Sequence, residues 1–358
     1  MKLRRFTMSN KLVEVEIKRL LKANKAFVAY ICPSSDLLRI VISNNIVYLN
    51  QKVDFVDLTG FVFHPFALED KDAVLFPVDE KKDYYISNNN NNSHKKLEIE
   101  ETCEIERNNY LKICGDVIEC LNETNCDKIV LTRCIIRTNN NIDISKSFNE
   151  LLLSYTNTFR YLLNVPEQGI WMGASPEKLI CKTSNIVNID AIAGTRRIED
   201  IWDEKNKKEH TYTERYIENI LKQKNLSYSK ESHKMQMGGL SHLYSSFFVE
   251  KLKINEFSNL VYKLHPTPSV CGLPKALAKK CIFELEKHDR EFYCGFLGPC
   301  NIDSSDIQFF VNIRCMKISF DNLFFFVGGG IIKESTANTE FVETELKLLL
   351  LKDKLVCQ

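Results

Sequence analysis

Apolar residues recur at helical spacing over positions 11–24 and 101–123, and a long, mostly polar stretch at 204–224 keeps the same period. These predict three helices. Short β-branched or aromatic runs at 26–32, 37–42 and 46–49 predict strands, with Asn44-Asn45 supplying hairpin turn chemistry between the last two. Further strands are predicted at 128–137, closed by the turn Asn139-Asn140-Asn141, and as a pair at 169–174 and 179–182. Two more, at 309–314 and 323–327, fall in a strand-rich region. Strands that arrive as hairpins, rather than alternating singly with helices, predict an α+β fold of large antiparallel sheets. No internal repeat is present. The asparagine run at 88–92 is too polar for a core and predicts a loop or linker. It divides an N-terminal sheet-building segment, 1–95, from a second region of the same fold, 96–358.

Composition narrows the class without naming a chemistry. The 358 residues are 44% hydrophobic and 27% charged, which is ordinary for a folded globular chain. A net charge of +1 provides no broad field for nucleic acid or an anionic membrane, so neither is an expected partner. The 13 cysteines are scattered with no C-x-x-C pair, as expected of reduced thiols rather than of a disulfide framework or zinc ribbon. The basic start Met1-Lys2-Leu3-Arg4-Arg5 leads into an amphipathic stretch, and no later segment is apolar for about 18 residues. A cytoplasmic protein is expected, and no interface stripe argues against a monomer or weak homodimer.

Several short segments carry candidate chemistry, and each has a bland reading. Glu343 lies four residues before Lys347 and three after Glu340, so all three share one face of a terminal helix; alone, that is a solvated surface pair. Glu209, in Lys207-Lys208-Glu209-His210, reads as part of an exposed charged face. Gly328-Gly329-Gly330, after the strand at 323–327, reads as a tight turn or as backbone amides converging on an anion. It does not have the G-x-G-x-x-G spacing of a dinucleotide site. Lys128, entering its strand, reads as an edge residue, and Ser175-Pro176-Glu177 as a helix start.

In order, Lys128-Ile129-Val130-Leu131-Thr132-Arg133, Gly173-Ala174-Ser175-Pro176-Glu177, Ala191-Ile192-Ala193-Gly194-Thr195, Glu209-His210, His265-Pro266-Thr267-Pro268, Arg314, Gly328-Gly329-Gly330-Ile331 and Glu340-Phe341-Val342-Glu343-Thr344-Glu345-Leu346-Lys347 resemble the signature of the chorismate-utilising enzymes. The match runs from about Lys128 to Lys347. The resemblance implies helices and antiparallel sheets around a central cleft. It also implies an activity: isochorismate synthase, in a menaquinone or siderophore pathway.

By that resemblance, Lys128 is the base that activates water, for which its pKa must fall to roughly 7–8. Glu177 is the general acid that protonates the departing C4 hydroxyl, and so must keep a proton near neutrality. Glu209 and Glu343 are implied Mg2+ ligands with Glu340 supporting them, Mg2+ being a hard cation that takes one or two protein carboxylates. Gly194, Thr195, His242, Tyr293, Arg314, Lys347 and the amides of Gly328 and Gly330 are implied contacts to chorismate, Arg314 through its planar fork. Ala193 excludes the lysine-nucleophile chemistry of some aminodeoxychorismate synthases. Two positions depart from the pattern: Asn206, where relatives often carry an acid, and Gly298-Pro299, where they carry an aromatic after the glycine. A salicylate synthase uses the same groups and then eliminates pyruvate; the intact His265-Pro266-Thr267-Pro268 leans towards the simpler synthase. A silent paralogue that only binds chorismate is the rival from another class, and retention of both Lys128 and Glu177 counts against it.

Overall fold

The computed structural model describes residues 10–86, 94–184, 186–237 and 239–358, and the side chains of Thr195 and Met237 also lie outside the description. The predicted loop at 88–92 therefore falls outside the described residues. Helix α1 (Asn10–Lys22) leads into β1 (Ala26–Ile31), β2 (Leu37–Ser43), β3 (Val47–Leu49), β4 (Gly60–His64), β5 (Ala73–Phe76) and β6 (Glu80–Tyr85). Then come α2 (Glu104–Glu123), β7 (Lys128–Thr138), α3 (Ile144–Ser154), β8 (Phe159–Val165), β9 (Gly169–Ser175), β10 (Lys178–Thr183) and β11 (Ile186–Arg197). The next elements are α4 (Glu204–Gln223), β12 (Tyr228–Met237), β13 (Leu240–Glu250), α5 (Phe257–Leu264), β14 (Gly272–Leu273) and α6 (Lys275–Leu285). The chain closes with β15 (Phe296–Cys300), β16 (Ile307–Val311), β17 (Cys315–Ile318), β18 (Asn322–Ile331) and α7 (Ala337–Lys352).

These strands form two nine-stranded sheets, β14-β7-β18-β17-β9-β8-β1-β2-β6 and β12-β13-β11-β10-β16-β15-β4-β5-β3. Neighbours pair antiparallel, as in β1 with β8, β7 with β18 and β11 with β13. The fold is α+β, as expected. The N-terminal strands enter both sheets: β1, β2 and β6 the first, β3, β4 and β5 the second.

The sheets face each other across an aromatic layer. Phe159 on β8 stacks on Phe310 of β16 with ring centres 4.3 Å apart, Tyr30 of β1 meets Phe61 of β4 at 5.2 Å, and Trp171 of β9 meets Phe63 at 5.7 Å. The opposite face of the first sheet is covered by α1, α3 and α7, so β1 alternates Val28 and Tyr30 towards one core with Phe27 and Ala29 towards the other. Strands buried on both faces read as continuous apolar runs, which is why the pattern locates them but does not say what they pair with.

Two predicted hairpins are not hairpins for that reason. β2 pairs with β1 and β6 while β3 pairs with β5, so Asn44-Asn45 carries the chain from one sheet to the other. Likewise β9 pairs with β8 and β17, and β10 with β11 and β16. The strand predicted at 309–314 stops at Val311; Asn312 turns inward, donating to Phe292 O at 2.9 Å and accepting from Tyr161 Oη at 2.6 Å. Arg314 follows in a left-handed conformation (φ 52°) just before β17, so it is not the end of the strand that was expected to hold it. Among the described residues no helix is long and apolar enough to cross a membrane.

The aromatic layer gives a stability prediction. Phe159→Ala removes a fully buried ring that touches both sheets, and should cost about 3–5 kcal/mol in urea unfolding. A cost below about 1 kcal/mol would show that the layer does not hold the sheets together.

Candidate active site

Pro176 and Glu177 occupy the crossover from β9 to β10, where the chain leaves one sheet for the other. No helix begins there; Lys178 opens a strand. The crossover is held by backbone: Val311 N–H donates to Glu177 O at 2.9 Å, and Ser175 Oγ donates to Val311 O at 2.5 Å. The Glu177 carboxyl is thus fixed in the cleft between sheets, 2% exposed. Burial pushes it up to about 7, against the hydroxyls of Ser269 and Thr267, which donate to Oε1 at 2.6 and 3.4 Å and favour the ionised form.

Lys128 is not an edge residue. It opens β7, which lies between β14 and β18, and it is 2% exposed. β18 runs beside it with Gly330 opposite Val130 and Gly328 opposite Thr132, so the three glycines form part of a regular strand and not a turn. Their missing side chains make room. A Cβ on Gly330 would stand 2.2 Å from Glu209 Oε1 and 2.6 Å from Lys128 Cε, so both charged side chains lie over this bare strip of backbone. Lys347 Nζ donates to Gly328 O at 2.8 Å, which marks the side of Gly328 facing away from β7. In an antiparallel ladder a residue's N–H and C=O point the same way and alternate along the strand, so the N–H groups of Gly328 and Gly330 face that side too.

Two helices bring the remaining charges. Glu209, on α4, is buried, and its Oε1 has no hydrogen-bond partner. On α7, Glu343 accepts from Lys347 Nζ at 2.5 Å. Burial alone would raise the Glu343 carboxyl, but the Lys347 and Lys205 ammonium groups outweigh it and hold it at about 2. Glu340 is fully buried in a close ion pair with Lys205, 2.6 Å from Oε1, and burial still raises it to about 7. Carboxylate oxygens of this kind, with Glu209 Oε1 and Glu340 Oε2 lacking hydrogen-bond partners, suit a hard cation such as Mg2+.

His242 on β13 faces a bulge in β11, where the register slips between Ala193 and Thr195 and Gly194 takes φ 74°. Gly194 also packs on Asn206 at the start of α4, so a Cβ there would meet Asn206 O at 2.9 Å. Burial, with Arg314 and Lys347 nearby, pushes His242 down to about 3 and keeps it neutral. Arg314 is buried with its Nε unpartnered, and Tyr293 stacks on Phe326 with ring centres 5.4 Å apart.

One cavity collects these groups: Lys128, Glu177, Gly194, Glu209, His242, Tyr293, Arg314, Gly328, Gly330, Glu343 and Lys347 all line it. Glu340 does not line it, although its Oε2 would be 3.4 Å from a Gly329 Cβ. The Thr195 side chain lies outside the described residues. Sequence reasoning missed Ser269 and Lys205; both sat inside quoted or adjacent motifs, but their partners are set by tertiary structure. It also missed Arg290, which ties Val270 O (2.8 Å) to Val130 O (2.7 Å) and so joins the Ser269 loop to the Lys128 strand.

Residues 66–356 match the family of chorismate binding enzymes. The chain is 28% identical over 237 residues to the isochorismate synthase EntC of Escherichia coli, a match covering 62% of this chain and 60% of that protein. It is 28% identical over 256 residues to the vibriobactin-specific isochorismate synthase of Vibrio cholerae, covering 67% and 64%. The match to the isochorismate synthase MenF of Bacillus subtilis is 29% over 262 residues, covering 68% and 55%. The chain thus spans less than two thirds of the length of these relatives. Among solved structures, DhbC from Bacillus anthracis superposes with a TM-score of 0.79 at 22% identity, over 94% of this chain and 98% of that one. Anthranilate synthase component I from Streptococcus pneumoniae gives 0.71 at 16%, over 91% and 92%; both likenesses concern the fold.

Gly330→Ala tests the bare strip directly. Its methyl group has no space beside Glu209 and Lys128, so chorismate binding measured by calorimetry should weaken at least about tenfold while the unfolding midpoint changes little. Unchanged affinity would mean that these side chains do not converge there.

Proposed function

This chain belongs to the chorismate binding enzymes, and from that premise we propose that it is a Mg2+-dependent isochorismate synthase. The observation that carries the reading is the presence, in one cavity, of a buried lysine and a buried carboxyl that holds its proton to about pH 7. Addition of water at C2 of chorismate with loss of the C4 hydroxyl needs such a pair.

Lys128 takes a proton from water as its oxygen bonds to C2. The ring double bonds shift, the C4–O bond breaks, and Glu177 gives its proton to the departing hydroxyl, which leaves as water. One water enters and one leaves, so the reaction is an isomerisation. Arg314, with an unused Nε, and the Gly328 and Gly330 amides hold one substrate carboxylate. Lys347, already bonded to Gly328 O, keeps that strand edge in place. Glu209 and Glu343 would hold Mg2+, with Glu340 beside them, and the ion when bound neutralises and orients the ring carboxylate. Neutral His242 and Tyr293 bound the ring side of the pocket without adding charge. Positioning and fixed electrostatics then supply much of the rate. The relatives include a vibriobactin-specific isochorismate synthase and an isochorismate synthase MenF, so the likeness does not favour one pathway.

Purified protein given chorismate and Mg2+ should accumulate isochorismate on a chromatographic time course. Salicylate with stoichiometric pyruvate would replace this reading with a salicylate synthase; no turnover would replace it with a binding-only protein. Lys128→Ala and Glu177→Gln should each lower kcat by about 10²–10⁴ while chorismate binding persists, and EDTA should abolish turnover reversibly.

The pH dependence follows from Glu177. The acid works protonated, so kcat should fall as pH rises through about 7. Ser269→Ala removes a hydrogen bond that favours the ionised form, so it should move that alkaline limb to higher pH by about 0.5 to 1 pH unit. A limb that stays in place would mean that another group sets it.

A further inference from the structure

Lys205 is the second residue of α4. Its ammonium stands 2.6 Å from Glu340 Oε1 and 3.7 Å from Glu343 Oε2, and Glu209 adds to the same negative field. Lys347 occupies the other oxygen of Glu343. Of the three carboxylates near Gly329 and Gly330, Glu209 keeps its buried Oε1 and Glu340 its buried Oε2 without a hydrogen-bond partner. Among the described residues no three His, Cys, Asp or Glu side chains are disposed to hold one ion. Oxygens that suit a hard cation are present, but ammonium groups already stand against both oxygens of Glu343 and against Glu340 Oε1.

We propose that Lys205 is an internal counter-cation: a divalent ion enters this cavity only by displacing its ammonium from Glu340 and Glu343. The inference rests on the divalent-ion reading above. Charge balance favours exchange. A dication brought to Glu340 and Glu343 with the Lys205 ammonium still between them would face a like charge inside a buried site, where such charges repel strongly. An ammonium in the first turn also opposes the helix dipole, so the α7 carboxylates are what hold it there. It has somewhere to go. Lys205 borders an open cleft that also exposes Asp200, Asp203 and Glu334, and its side chain is 17% exposed on a flexible stem. Asn206 Nδ2 donates to Asp203 Oδ1 at 2.7 Å, which ties that amide to the N-terminal cap of α4.

The test is binding itself, without turnover. Mg2+ calorimetry and Mn2+ titration by electron paramagnetic resonance are run on the whole chain, with and without chorismate, for wild type, Lys205→Met and Lys205→Gln, with Glu209→Gln marking the cavity. Both lysine variants should bind the ion about tenfold or more tightly, and should unfold at a lower temperature in EDTA with a larger rise on adding Mg2+. If Lys205→Met does not fold, Lys205→Gln carries the comparison. Unchanged or weaker binding in the lysine variants, with measurable wild-type binding lost in Glu209→Gln, overturns the exchange and leaves the metal site standing. Absence of binding in wild type even with chorismate, or binding indifferent to Glu209→Gln, overturns the metal reading and this inference with it.

Discussion

Charges taken out of water must be matched, and the way this cavity matches them decides what each group can do. Glu343 faces two ammonium groups that outweigh its burial and hold it at about 2; burial keeps Glu177 protonated to about 7, although the hydroxyl donors on its Oε1 favour ionisation. Two carboxyls of the same chemistry, lining one cavity and both raised by burial, are separated by how far their partners offset it. The proposed roles of metal ligand for Glu343 and proton donor for Glu177 rest on that difference.

The backbone supports the matching. Glu177 is placed by a crossover between sheets whose own carbonyl is tied to Val311, and the loop that solvates its carboxyl is tied through Arg290 to the strand carrying Lys128. Arg290 can serve as a buried clamp because Glu286 pairs with it at 2.6 Å. The acid and the amine are therefore positioned through one network. The glycine strip on β18 then leaves the volume in which Lys128 and Glu209 fit, a volume that any side chain at position 330 would fill.

Much of the site was legible in the sequence, because its motifs are local: the lysine, the S-P-E glutamate and the helical E-x-x-E-T-x-x-K segment each keep their chemistry in a few residues. Their bland readings failed on burial, which is a tertiary property. Lys128 and Glu209, each expected at a surface when read alone, are almost wholly enclosed. Strand pairing was not legible. At Asn44-Asn45 and at Pro176-Glu177 the local pattern suits a hairpin, yet the flanking strands belong to different sheets, since apolar runs buried on both faces do not specify their neighbours. Ser269, Lys205 and Arg290 gave no usable signal, as a hydroxyl, an ammonium or a guanidinium acquires its role from what the fold sets against it.

The central claim is that the Glu177 carboxyl carries a proton in the folded protein near neutrality. Infrared difference spectroscopy of wild type against Glu177→Gln, titrated from pH 5 to 9, reads that proton directly. A protonated-carboxyl C=O band present at pH 6 and lost with a midpoint near 7 is the predicted result. A band already absent at pH 6 would contradict the account.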